Sequence, residues 1–158
     1  MKRRELFSSL GFQKRKQESL IRPPYFKDKS AFQRECIKCE GVCATVCEEQ
    51  IIFIREDKTP FLDFKESGCT YCDKCALACE FDVLNVEDKK EIEAKIKIDM
   101  LQCLSWQKTM CFSCKDACMD DAIEFLGLFR PEILYDKCTS CGLCVGVCPT
   151  NAIKVERV

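Results

Sequence analysis

Cys138-Thr139-Ser140-Cys141-Gly142-Leu143-Cys144-Val145-Gly146-Val147-Cys148-Pro149 decides the fold of this chain. Three cysteines follow one another at intervals of three, and a fourth comes one helical turn later, before a proline. Two intervening residues let a backbone curl around a compact metal group and aim successive thiolates at it. Three intervening residues make one turn of helix, which turns the last thiol away from the first three.

The pattern recurs upstream. Quartets begin at Cys36, Cys69, Cys103 and Cys138, in steps of 33, 34 and 35 residues. They read C-x2-C-x3-C-x3-C (Cys36, Cys39, Cys43, Cys47), C-x2-C-x2-C-x3-C (Cys69, Cys72, Cys75, Cys79), C-x7-C-x2-C-x3-C (Cys103, Cys111, Cys114, Cys118) and C-x2-C-x2-C-x3-C-P (Cys138, Cys141, Cys144, Cys148). All sixteen cysteines of the 158 residues are thereby used. The second and fourth quartets match the bacterial ferredoxin pattern for [4Fe–4S] clusters, in which the fourth cysteine serves the neighbouring cluster. Zinc sites combine separated pairs of cysteines, often with histidine, and this chain has no histidine. Its sixteen cysteines therefore predict four [4Fe–4S] clusters.

Two exchange patterns are open. Sequential exchange groups Cys36, Cys39, Cys43 with Cys79; Cys69, Cys72, Cys75 with Cys47; Cys103, Cys111, Cys114 with Cys148; and Cys138, Cys141, Cys144 with Cys118. Nested exchange instead pairs the first quartet with the fourth and the second with the third. The near-equal repeat steps do not choose, and sequential exchange is the working expectation.

A short apolar stretch follows each quartet: Ile51 to Ile54, Val83 to Val86, Ala122 to Phe125 and Ala152 to Val155. Lead strands are expected at Phe61 to Phe64, Lys95 to Ile98 and Ile133 to Tyr135, joined to the preceding tails as hairpins. A short helix is expected between the third and fourth cysteines of each quartet. The predicted fold class is α+β: duplicated units of the bacterial dicluster-ferredoxin type, with short strands and helices around the clusters and a small apolar core. Three segments follow: a basic arm over 1–35, a first pair of repeats over 36–90 and a second pair over 91–158. The charged run Glu87 to Glu93 marks the division. With so little apolar material, metal binding and folding are expected to be one event.

The formal charge of −1 conceals an asymmetry, because residues 1–35 carry +6 and residues 36–158 carry −7. The arm is either a docking segment or a solvated tail. Arg3-Arg4 is followed by polar and basic residues instead of the apolar stretch of an export signal, so a cytoplasmic chain is expected. No segment has the composition of a membrane span. Leu104 to Met110, inside the third quartet, is either an apolar cover over its cluster or a recognition surface. Tyr71 reads as packing. Glu48 and Glu80 stand where Cys148 is followed by proline, and their carboxylates should lower reduction potential. With no nucleophile paired with a base and no phosphate loop, the chain is read as not an enzyme. The arm lacks the interleaved aromatics of a nucleic-acid surface, so no nucleic-acid partner is expected.

The four quartets, the seven-residue opening of the third and the segment Ile21-Arg22-Pro23-Pro24-Tyr25 together resemble the ferredoxin-type accessory proteins of periplasmic nitrate reductase systems. The resemblance spans essentially the whole chain. It implies a cytoplasmic protein that binds the nitrate reductase catalytic subunit before export and assists its maturation, by electron delivery or cluster assembly. The alternative is a plain electron-transfer polyferredoxin subunit serving other redox proteins. A metal-stabilised interaction module is a third reading.

Overall fold

The computed structural model describes residues 20–158. Residues 1–19, which carry most of the basic arm, lie outside the described residues.

Each quartet builds the same local device. A four-residue helix starts one residue before the third cysteine: α2 (Val42–Thr45), α3 (Lys74–Leu77), α4 (Ser113–Asp116) and α5 (Leu143–Gly146) follow α1 (Lys29–Glu35). The helices are short because the thiols at both ends must face different groups. In the first, second and fourth quartets the chain enters the helix through a left-handed residue, Gly41, Asp73 or Gly142. Phe112 of the third quartet is instead at φ −122°.

Three residues beyond each fourth cysteine stands another left-handed residue: Gln50, Asp82, Asp121 or Asn151. Its N–H donates to that cysteine's carbonyl, at 3.0 to 3.4 Å. Asn and Asp tolerate this conformation better than most residues. The turn sends the next two residues inward, so Ile51 and Ile52, Val83 and Leu84, Ala122 and Ile123, and Ala152 and Ile153 are all buried. The apolar tails read from the sequence are therefore core-forming, although not all are strands.

Among the described residues, three two-stranded antiparallel sheets result. β1 (Ile52–Ile54) pairs with β2 (Pro60–Leu62), and β4 (Ile123–Leu126) pairs with β5 (Phe129–Ile133), the two expected hairpins. The middle hairpin does not form. Val83 to Val86 is not a strand, and Val86–Asp88 is a 3-10 turn capped by the Asn85 side chain. β3 (Ala94–Ile98) pairs over five residues with β6 (Ile153–Arg157), in register from Ala94↔Arg157 to Ile98↔Ile153. The second half thus closes on itself, its first strand against its last.

The first half is closed by the end of the arm. Leu62 N–H donates to Ile21 O at 2.8 Å, Asn85 N–H to Tyr25 O at 2.7 Å and Lys90 N–H to Pro24 O at 2.8 Å. Pro23 and Pro24 have no N–H, so the segment occupies an edge without extending a ladder. Ile21, Tyr25, Phe26 and Phe32 are buried with Leu62, Phe64 and Leu84 in the larger of two apolar clusters. Residues 20–35, grouped by sequence with the basic arm, are structural in the first half. Lys90 sits 3.5 Å from the Phe26 ring centroid and pairs at 2.9 Å with Glu93, which also pairs with Lys29. The smaller cluster holds Ile96, Ile123 and Ile153 with Cys114 and Cys144.

Candidate metal centre

The exchange of fourth cysteines is visible in how the thiols are grouped. Cys36, Cys39 and Cys43 line a cavity of about 20 Å³ together with Cys79. Cys69, Cys72 and Cys75 line a second cavity of about 20 Å³ with Cys47. Cys138, Cys141 and Cys144 line a third, again about 20 Å³, with Cys118. The remaining set meets at Cys114, whose thiol feels Cys103, Cys111 and Cys148 as its charged neighbours. This is the sequential arrangement. α2 packs on α3 and α4 on α5, which carries each fourth cysteine across to the adjoining quartet.

Burial first, and the neighbouring thiols second, push Cys36 up to about 11, Cys43 to about 12, Cys75 to about 12 and Cys144 to about 12. Cys69 and Cys114 are pushed by burial to about 11, with Cys72, Cys47 and Cys141 also acting on Cys69. Cys138 and Cys141 move upward for the same leading reason. Cys148 runs the other way. Burial would raise it, but the N–H groups of Thr150, Ala152 and Ile153 and the Thr150 hydroxyl outweigh burial and favour the thiolate. Each group contains at least one thiol whose pKa burial raises, and four facing thiols are ionised together only when cations take up the charge, as a metal group does.

The backbone is prepared for thiolates as well. Gly41 donates to Cys39 Sγ at 3.3 Å, Tyr71 to Cys69 at 3.4 Å, Leu84 to Cys79 at 3.4 Å, Ala122 to Cys118 at 3.3 Å and Ala152 to Cys148 at 3.2 Å. The last two repeat one geometry, from the residue four places beyond a fourth cysteine, and Leu84 reaches Cys79 from five places beyond. Among the described residues, no three cysteine, aspartate or glutamate side chains are gathered closely enough to hold a single ion. Four thiols spread around a common cavity suit a polynuclear group instead. The donor set therefore fits an iron–sulfur cluster.

The loop inside the third quartet is folded onto its own hairpin. Ser105 is buried and its hydroxyl donates to Cys111 O at 2.6 Å. The Trp106 indole N–H finds Pro131 O at 3.2 Å, with the Arg130 guanidinium 5.8 Å from the ring centroid. Met110 remains exposed. Nothing in the sequence singles out Ser105, and only its burial distinguishes it from any other polar loop residue. Tyr71 packs as expected and also bonds across the molecule. Its hydroxyl donates to Thr139 O at 2.7 Å and accepts from Ile92 N–H at 3.1 Å.

Repeated cysteine quartets on short helices, with antiparallel strand pairs and each fourth cysteine grouped with the adjoining quartet, define a ferredoxin-type iron–sulfur protein. Family models agree: a 4Fe-4S dicluster domain matches residues 35–83, and a 4Fe-4S binding domain matches residues 131–154. The ferredoxin-type protein NapF of Escherichia coli K12 is 32% identical over 146 residues, covering 90% of this chain and 88% of the relative. NapF of Haemophilus influenzae is 34% identical over 140 residues, covering 86% and 78%. The ferredoxin-type protein NapG of Escherichia coli K12 is 27% identical, covering 85% of this chain and 69% of the relative. The chain belongs to the NapF family of ferredoxin-type proteins. Among the described residues no helix is long and apolar enough to cross a membrane.

Proposed function

We propose that this chain is a cytoplasmic accessory protein that carries four [4Fe–4S] clusters on its sixteen cysteines and assists maturation of the periplasmic nitrate reductase catalytic subunit before export. The observation that carries the cluster count is the pairing of every fourth cysteine with the first three of the adjoining quartet. No thiol is left over. Bound clusters supply one-electron transfer, and binding, orienting and shielding them falls to the chain's own residues.

The protein's own contribution is to hold, shield and tune. Buried Cys75, Cys114 and Cys144 anchor three of the sites. Backbone N–H groups directed at the sulfurs favour the thiolate and set its electronic environment. Exposed Cys72 marks the site nearest solvent for exchange with a partner. This exposure also favours a second reading, a plain electron-transfer subunit serving other redox proteins.

The partner rests on the family resemblance and the basic arm. Because residues 20–35 are part of the fold, the docking element is assigned to residues 1–19. Anaerobically loaded protein should contain about sixteen irons and as many sulfides per chain. It should capture the unexported nitrate reductase catalytic subunit, and a chain lacking residues 1–19 should keep its iron but lose capture. About eight irons would overturn the four-site count. Undiminished capture by the shortened chain would overturn the docking arm, and no capture by the full chain would leave the electron-carrier reading.

A further inference from the structure

The two halves meet where the second quartet faces the fourth. Cys69 N–H donates to Cys141 O at 2.7 Å, and Tyr71 Oη donates to Thr139 O at 2.7 Å. The contact is too close for side chains on the facing backbone. A Cβ added at Gly68 would lie 2.2 Å from Leu143 N and 2.6 Å from Cys141 O. One added at Gly146 would lie 2.5 Å from Glu66 O. Two cysteine-bearing loops are thus joined main chain to main chain, each one the wall of a cavity already described.

We propose that the Cys69–Cys141 contact is the electrical junction of the molecule, so that its four sites form one chain in the order first, second, fourth, third. The proposal rests on the four-cluster reading and goes beyond it, because two ferredoxin units joined in sequence need not exchange electrons. Within each half, the crossed fourth cysteines bring the sites together. Between halves, the hydrogen bonds linking quartet to quartet among the described residues run from the second to the fourth. An electron crossing the seam leaves the group held by Cys47, Cys69, Cys72 and Cys75 oxidised by one. It leaves the group held by Cys118, Cys138, Cys141 and Cys144 reduced by one, and the reverse direction is equally balanced. No bond forms or breaks, no proton moves, and every sulfur remains a thiolate. The first and third sites become the two ends of the chain, with the third quartet's own loop and Trp106 at one of them, and exposed Cys72 gives the second site its own access to solvent.

The test uses the full chain, loaded anaerobically, reduced with dithionite and read by electron paramagnetic resonance, including pulsed dipolar measurement. Fully reduced wild-type protein should show three pairwise spin interactions, two within halves and one across the seam. Gly68→Val, which drives a side chain into the Leu143 backbone, should lose the cross-seam interaction and keep the other two. Tyr71→Phe releases the clasp without adding volume, so it remains informative if the valine variant fails to fold. It should broaden the cross-seam interaction alone. Two isolated pairs in wild type, or no selective change in Tyr71→Phe, would overturn the junction. Iron and sulfide analysis of the same samples separates the two readings. About sixteen irons with only two isolated spin pairs sinks the junction alone, whereas fewer irons in wild type sinks the four-cluster reading and the junction with it.

Discussion

The Phe64 side chain lies directly over Gly142, so close that a Cβ there would stand 2.5 Å from the ring. Phe64 closes the strand region that leads into the second quartet, and Gly142 opens the last helix of the fourth. One aromatic side chain of the first half therefore seats a cysteine loop of the second.

Gly142 is also left-handed, at φ +81°, whereas Gly127 in the β4–β5 turn has φ +72° with open space around it. Gly127→Ala should cost only the left-handed penalty, about 1–2 kcal/mol. Gly142→Ala should cost that and the displacement of Phe64, and so be the more destabilised of the two. Anaerobic denaturant unfolding of the loaded variants makes the comparison, and equal losses would count against tight packing at the seam.

On the four-cluster proposal, the crossed grouping of fourth cysteines predicts a pattern in double variants. Cys36→Ser and Cys79→Ser damage one site, so the double variant should lose no more than about four irons. Cys69→Ser with Cys79→Ser damages two sites and should lose about eight. Iron content by mass spectrometry reads the result. Nested exchange predicts a different partner for Cys79.

Phe32 is fully buried, edge-on to Phe26 at 5.2 Å between ring centroids and under the Arg22 guanidinium. Phe32→Ala should destabilise the loaded protein by about 3–5 kcal/mol through the cavity it leaves. Calorimetry checks it. A change under about 1 kcal/mol would mean that residues 20–35 are not part of the core.

The raised thiols set a pH dependence. Cys43, Cys75 and Cys144 are pushed up to about 12 from an ordinary 9.0, with burial as the leading cause. The folded, cluster-free chain therefore binds these protons more tightly than the unfolded chain. Their stabilisation is complete below pH 9 and disappears as pH climbs toward 12. Any order kept by the cluster-free chain should decrease over that interval by circular dichroism. Iron loading, which expels the same protons, should strengthen as pH rises. The opposite trend would contradict thiol burial.

Much of the metal chemistry was legible because cysteine spacing is a local geometric code. Two residues between thiols curl the chain around one group, and three residues in a helical turn send the next thiol elsewhere. The left-handed residues at Gln50, Asp82, Asp121 and Asn151 carry no such code, although each stands three places beyond a fourth cysteine. Their residue types vary, and only the common turn unites them. The missing middle hairpin has a different cause. Val83 to Val86 looks as strand-like as the other tails, but its neighbouring edge is taken by a proline-bearing segment from the N-terminal side. β3 finds a longer partner in β6.

The sequence alone determined the number of quartets, the sixteen candidate thiols, the absence of histidine and the α+β class, since each depends on residue type and short spacing. Tertiary structure decided which thiols meet, which strand closes each half and how the halves join. Those outcomes depend on which surfaces compete for the same edge and on how closely two backbones can approach. Residues far apart in the chain settle such competition, and the spacing within one quartet carries no information about it.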